Sequence, residues 1–188
     1  MVSERAELMH RSRWPLAAVA GMAFVACAFL PGCEDDSGSK TANEVTPVKP
    51  KGSRTEMAEL NAKAGEEFLA ANAKKEGVKT TASGLQYLVL KEGQGKKPGS
   101  SDKVEVHYHG TLINGKVFDS SVDRGEPITF GVTQVIPGWT EALKMMNEGS
   151  KWRVFIPSEL AYRRKGTPDG RIGPNEVLIF EIELLNVK

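Results

Sequence analysis

Apolar and polar positions fall into three regimes along the chain, and each predicts a different kind of element. Trp14 to Leu30 is an apolar run broken only by Pro15 and Gly21. Glu34 to Lys51 is polar, with Val45 and Val48 as its only sizeable apolar side chains, too few to order the segment, so residues 33–52 read as a tether. Met57, Leu60, Ala64, Phe68 and Ala71 then recur every three or four positions and predict a helix over 53–77. Ser53-Arg54-Thr55-Glu56 fits a capping box at its start, Lys74 and Lys75 complement its last turn, Gly77 stops it, and Gly65 weakens its middle. Because the apolar stripe is narrow, docking on the domain or a solvated stalk is favoured over pairing with a second copy.

From Thr81 the period shortens to two. Leu85 to Leu90 reads as a strand, closed by a loop containing Gly93, Gly95, Pro98 and Gly99. Val104 to Leu112 alternates, with Val104, Val106, Tyr108, Gly110 and Leu112 on one face and Glu105, His107, His109 and Thr111 on the other. Asn114-Gly115 predicts a tight hairpin turn that needs positive φ. The chain returns through Lys116 to Ser121, bends over Asp123 to Pro127 and enters a short strand, Ile128 to Phe130. Val135-Ile136 ends the next extended run, Pro137-Gly138 predicts a bend, and Trp139 stands at the start of a short helix, Thr140 to Met146. Asn147-Glu148-Gly149 turns the chain into a strand from Trp152 to Ile156, and a mixed loop runs from Tyr162 to Asn175. The last strand, Val177 to Val187, places Leu178, Phe180, Ile182 and Leu184 on one face. The sum is an α+β domain over residues 81–188: a twisted antiparallel sheet of about five strands wrapped over one short helix, preceded by the N-terminal helix.

Composition narrows the chemistry. The 188 residues suit one domain plus N-terminal segments, since domains run to roughly 100–150 residues. Lys and Arg number 25 against 24 Asp and Glu, so no global field draws the chain to nucleic acid. Cys27 and Cys33 are its only cysteines and both precede the domain, which excludes a disulfide framework, a Cys-ligated metal and a thiol nucleophile there. Arg11 and Arg13 before the apolar run, with Pro31 and Gly32 after it, read as a secretory signal over 1–32, an uncleaved membrane span being the alternative. Leu30-Pro31-Gly32-Cys33 resembles a bacterial lipobox. That resemblance implies a lipid on Cys33 and an exported protein of the bacterial cell envelope, anchored to a membrane and facing the periplasm.

His107 and His109 are spaced to reach one metal ion, but a zinc site normally needs at least three protein ligands and no third is evident, so no metal and no cofactor is expected. Gly93-Gln94-Gly95 lacks the third glycine and the helix of a dinucleotide site, and no Gly-x-Ser-x-Gly elbow supports a hydrolase. The inward candidates are Tyr108, Phe118, Phe130, Val135, Ile136, Trp139, Tyr162 and Phe180. Trp139 reads either as the floor of an apolar pocket or as a core anchor. Asp119, next to Phe118, must sit at a rim, and the hydroxyls of Tyr108 and Tyr162 need partners if buried.

Four ordered motifs carry a resemblance: Val106-His107-Tyr108-His109-Gly110, Val117-Phe118-Asp119-Ser120-Ser121, Val135-Ile136-Pro137-Gly138-Trp139 and Val177 to Leu185. Together, over about Gly84 to Val187, they resemble the FKBP-type peptidyl-prolyl cis-trans isomerases. Glu66 to Ala70 and Ser83 to Tyr87 further resemble the macrophage infectivity potentiator branch, whose helical extension is longer than the one here. The family resemblance implies proline-containing polypeptides as substrates, FKBP-directed macrolides as inhibitors, and a pocket of Tyr108, Phe118, Asp119, Arg124, Val135, Ile136, Trp139, Tyr162 and Phe180. Among these, Asp119, Tyr162, Phe118 and Trp139 are the expected catalytic residues. A proline-binding or chaperone module with little turnover is the alternative, motivated by two departures. Ile128 replaces an aromatic wall residue, and Arg163-Arg164-Lys165 follows Tyr162 where a glycine is expected, which together imply an altered substrate preference.

Overall fold

The structure, a computed structural model, describes residues 52–188; the leader, Cys33 and the tether up to residue 51 lie outside this range. Helix α1 spans Arg54–Asn72, followed by strands β1 (Val78–Thr80), β2 (Gln86–Lys91), β3 (Lys103–Leu112) and β4 (Val117–Ser120). The short helix α2 (Ser121–Arg124) leads to β5 (Ile128–Gly131), α3 (Pro137–Met145), β6 (Lys151–Ile156), two 3-10 turns at Ser158–Leu160 and Arg163–Lys165, and β7 (Leu178–Val187). The strands form one antiparallel sheet in the order β1-β2-β6-β7-β3-β4, with β5 also pairing β3.

The pleat of β3 sets the architecture. Val104, Val106, Tyr108, Gly110 and Leu112 are buried while the intervening residues are half-buried, as a period of two demands when one face covers a core. β7 pairs β3 from Val104↔Val187 to Leu112↔Leu178. The opposite edge of β3 is shared: β5 pairs Lys103 to Val106, and β4 pairs His109 to Thr111. Helix α3 lies on the inner face and drives Trp139, Ala142, Leu143 and the following Met146 into a cluster with Val106, Val154, Phe180 and Ile182. Leu143, Met146 and Ile182 are fully buried, each worth about 1.5–3 kcal/mol of transfer free energy.

Several expectations change. The sheet has seven strands instead of about five: β1 was unread because three residues, Val-Lys-Thr, carry no period, and β5 joins the sheet only by pairing β3. The bend expected at Asp123 is the one-turn α2, begun by the Ser120 hydroxyl accepting from the Asp123 N–H and ended by Gly125 at φ 75. Pro137-Gly138 is not a bend before α3 but its first turn, since proline suits N1, where its missing N–H would be unpaired anyway. Gly138 is required for contact: a Cβ there would stand 2.4 Å from Ile156 Cγ2.

Helix α1 also differs from its expected form. It ends at Asn72, so Lys74 and Lys75 lie beyond its last turn, and the Ser53 hydroxyl accepts from the Thr55 N–H, not from that of Glu56. Only part of the predicted apolar stripe faces the sheet: Phe68 does, but Met57 and Leu60 are 47% and 62% exposed, whereas Ala58, Gly65 and Asn72 are buried. The helix seats through amides and small residues. Asn72 Nδ2 donates to Gln86 Oε1 (3.0 Å), Gln86 Nε2 donates to the Leu69 carbonyl (2.9 Å), and Phe68 packs on Phe155. Gly65, which weakens an isolated helix, is the point of close approach, since a Cβ there would lie 2.8 Å from Val177 Cγ2.

Candidate functional site

The gap between β5 and β4 along the edge of β3 falls at His107 and Tyr108, whose outer edge lacks a strand partner. Ser121, the first residue of α2, fills it: its buried hydroxyl accepts from the Tyr108 N–H (2.7 Å) and donates to the Tyr108 carbonyl (3.2 Å). A side chain thereby satisfies backbone groups that would otherwise be buried unpaired, at a cost of about 1–3 kcal/mol. The same plug fixes α2 against β3 and brings three side chains together. Tyr108 Oη donates to Asp119 Oδ2 (2.5 Å), Arg124 Nη1 pairs with Asp119 Oδ1 (2.5 Å), and Arg124 Nη2 donates to Tyr108 Oη (3.0 Å).

Electrostatics follow from that triangle. Burial alone would raise the Asp119 carboxyl, but hydrogen bonds from Tyr108 and Arg124 outweigh it and hold the group below the usual carboxylate range. Burial, reinforced by the Asp119 carboxylate, pushes the Tyr108 hydroxyl up, so it stays a donor at neutral pH. Because the folded Asp119 pKa is depressed, its stabilising contribution is present above the ordinary value of about 3.9 and is lost as pH falls through the folded value. Wild type and Asp119→Asn should therefore differ in urea midpoint by a constant amount above about pH 5, with the gap closing below about pH 4. A gap that persists undiminished in acid would remove ionised Asp119 from the triangle.

Above the triangle opens a cavity of about 660 Å³, a usual size for a small-ligand pocket, lined by the inward aromatic residues. Trp139, held at the third position of α3 by its N–H bond to the Ile136 carbonyl (3.0 Å), lies beneath it. Three rings stand edge-on to Trp139: Tyr108 at 5.3 Å, Phe130 at 5.8 Å and Phe180 at 5.2 Å. The edge-to-face geometry suits ring quadrupoles and makes the floor rigid. Val135 and Ile136 form one side, and Tyr162, 39% exposed, forms the mouth. Burial and then the field of Asp119 push the Tyr162 hydroxyl up, so it too remains protonated at neutral pH.

The cavity gathers Tyr108, Asp119, Arg124, Val135, Ile136, Trp139, Tyr162 and Phe180 from five separate stretches of chain. Phe118 is not in the lining: its ring lies edge-on to Phe180 (5.3 Å), against Gly110, and supports the wall. Ile128, Phe130 and Gln134 line it as well. Gln134 had no signal in the period; it is placed by a turn in which its N–H donates to the Gly131 carbonyl (2.9 Å). His107 and His109 do not converge, since His107 Nδ1 meets Ser121 Oγ (3.2 Å) and His109 Nδ1 meets Ser120 Oγ (3.0 Å). Among the described residues no cluster of three or more His, Cys, Asp or Glu could hold a metal ion, and no helix is long and apolar enough to cross a membrane.

The position after Tyr162 is notable for its backbone. Arg163 sits at φ 52 and Asn175 at φ 55, the two left-handed non-glycine residues among those described, and the Asn175 N–H donates to the Arg163 carbonyl (2.8 Å). A left-handed non-glycine residue costs roughly 1–2 kcal/mol, which explains why a glycine would be expected at Arg163.

Comparison with known proteins agrees with this geometry. Residues 94–185 match the model of the FKBP-type peptidyl-prolyl cis-trans isomerase, and residues 31–89 match that of the domain amino terminal to it. The chain is 56% identical over 146 residues to the FKBP-type peptidyl-prolyl cis-trans isomerase FkpA of Aeromonas hydrophila, covering 78% of this chain and 52% of that one. It is 55% identical over 131 residues to the outer membrane protein MIP of Legionella longbeachae, covering 70% and 56%. The chain thus spans about half the length of these curated relatives. A crystal structure of a peptidyl-prolyl cis-trans isomerase from Pseudomonas syringae superposes with a TM-score of 0.65 at 44% identity, covering 70% of this chain and 96% of that one. A sheet folded over α3, a cavity floored by Trp139 and a near-complete match to a solved relative lead to one assignment: the chain belongs to the FKBP-type peptidyl-prolyl cis-trans isomerase family.

Proposed function

We propose that the cavity binds a proline within an extended polypeptide and catalyses rotation about the preceding peptide bond. The observation that carries this reading is the aromatic cavity itself, with Trp139 at its floor and the hydroxyl of Tyr162 at its mouth. The X-Pro bond rotates against a barrier of about 18–20 kcal/mol that arises from amide resonance. Twisting breaks the resonance and makes the group less polar, so a dry aromatic site favours the twisted form over the planar one. Trp139 supports the pyrrolidine ring, Phe180 walls it with Phe118 behind, and Tyr162 donates to a substrate carbonyl. Asp119, held by Tyr108 and Arg124, presents a fixed dipole to the twisting carbonyl. Each 1.4 kcal/mol of preference for the twisted state is worth about tenfold in rate.

The setting we infer is the bacterial envelope, with a lipid on Cys33 and exported proteins as substrates; the leader pattern and the relative described as an outer membrane protein support it. A protease-coupled assay with a proline tetrapeptide tests the activity, and an FKBP-directed macrolide should inhibit it by filling the cavity. Peptide binding without any acceleration of isomerisation would replace the enzyme reading by that of a binding module. Ile128, which lines the cavity in place of an aromatic wall, is the feature that favours this second reading.

A further inference from the structure

We propose that α1 is a working part of the cavity: it holds the segment that carries Tyr162, and Asn61 and Asn175 are the positioning residues. The inference rests on the reading of the cavity as an X-Pro site. Tyr162 stands between the 3-10 turns Ser158–Leu160 and Arg163–Lys165, outside any strand ladder, on the part of the chain least constrained by the sheet. Sites on such segments are less exact than sites on helices or strands unless something else fixes them.

The amino-terminal half of α1 supplies that fixing. Asn61 Nδ2 donates to the Pro174 carbonyl (2.8 Å), Asn175 Nδ2 donates to the Ala58 carbonyl (3.0 Å), and the Arg54 guanidinium donates to the Lys165 carbonyl (2.5 Å). Ala58 and Gly65 are buried on the same side of the helix, and the bare Gly65 lets Val177 close against it. A relay reaches the residue next to the mouth of the cavity: Ala58 carbonyl, Asn175 side chain, Asn175 N–H and Arg163 carbonyl, with Tyr162 the preceding residue of the chain. A helix that only covered a core would present apolar side chains. This one turns Met57 and Leu60 to solvent, while its amino-terminal half exchanges hydrogen bonds with one segment: Arg54 and Asn61 donate to the Lys165 and Pro174 carbonyls, and the Ala58 carbonyl accepts from Asn175. Directional bonds of this kind specify position as well as burial.

The test is a mutant cycle on the whole chain. Asn61→Leu removes one amide at nearly constant size, and Asn175→Gly removes the other while keeping a residue at ease in the left-handed backbone. The double variant should lower kcat/KM for a proline tetrapeptide by about tenfold, and in a Tyr162→Phe background its effect should shrink to below about twofold. Equal losses in both backgrounds, or no loss, would overturn the proposal. Amide hydrogen exchange gives a reading that needs no catalysis: residues 162–175 should exchange faster in the double variant while β3 and β7 keep their protection. Unchanged exchange over 162–175 would also overturn it. Absence of isomerase activity in the wild type would instead sink the functional reading, and the same cycle would then be scored on the dissociation constant of the tetrapeptide.

Discussion

Trp139→Ala should lower the stability of the domain by about 3–5 kcal/mol, the usual loss on truncating a buried large aromatic side chain to alanine. Trp139 is only 4% exposed and is the common neighbour of Tyr108, Phe130 and Phe180, so its removal opens the core and the cavity into one void. Domains are stable by about 5–15 kcal/mol in total, which leaves the variant marginal. The alternatives of core anchor and ring platform are therefore not exclusive, and alanine cannot separate them. Trp139→Phe can: it retains most of the packing, so the proposed role as a platform is read from its kcat/KM at a urea midpoint near wild type. A Trp139→Ala chain with an unchanged midpoint would contradict its burial; a Trp139→Phe chain with full activity would show that the platform needs an aromatic face and not the indole itself.

Gly110→Ala should be the second large effect. Gly110 pairs across the sheet with Phe180 and Asp119, and a Cβ there would stand 2.7 Å from Phe118 Cζ and 2.9 Å from Phe180 Cε1. Neither ring can yield freely, since each is edge-on to the other at 5.3 Å. Overpacking of this kind costs about 1–3 kcal/mol. The relief available is a shift of Phe180 toward the cavity, so affinity for a proline peptide should fall along with stability. The check is a crystal structure of the variant together with its peptide affinity; an unmoved Phe180 and unchanged affinity would show that β3 absorbs the methyl group instead.

What could be read from the chain follows physical lines. The faces of β3 and β7 were legible because their alternation, over ten residues in β3 and from Leu178 to Leu184 in β7, leaves one assignment, and it places Tyr108 and Phe180 of the aromatic lining on the inner face. β1 was not legible, since three edge residues bury too little to show a period. The seating of α1 was misread for a clearer reason. Apart from Phe68, its contact face is built from Ala58, Asn61, Gly65 and Asn72, which a search for large apolar residues passes over, while the conspicuous Met57 and Leu60 point away. The family resemblance implies Phe118 in the pocket; its ring stands edge-on to Phe180, which lines the cavity. Gln134 entered through turn geometry, which no residue pattern encodes.

The seat of α1 has a mechanical consequence. Tension applied at Gly52 meets the contacts of the helix in chain order: Arg54 with Lys165, Ala58 with Asn175, Asn61 with Pro174, and last Asn72 with Gln86. These bonds load in series and peel one after another, well before the long β3–β7 ladder carries force. The first three hold the segment next to Tyr162, and only the last grips the sheet. A pull from the amino-terminal side would slacken the mouth of the cavity while the ladder of β3 and β7 stays paired, so that tension would reach the site before it unfolds the sheet.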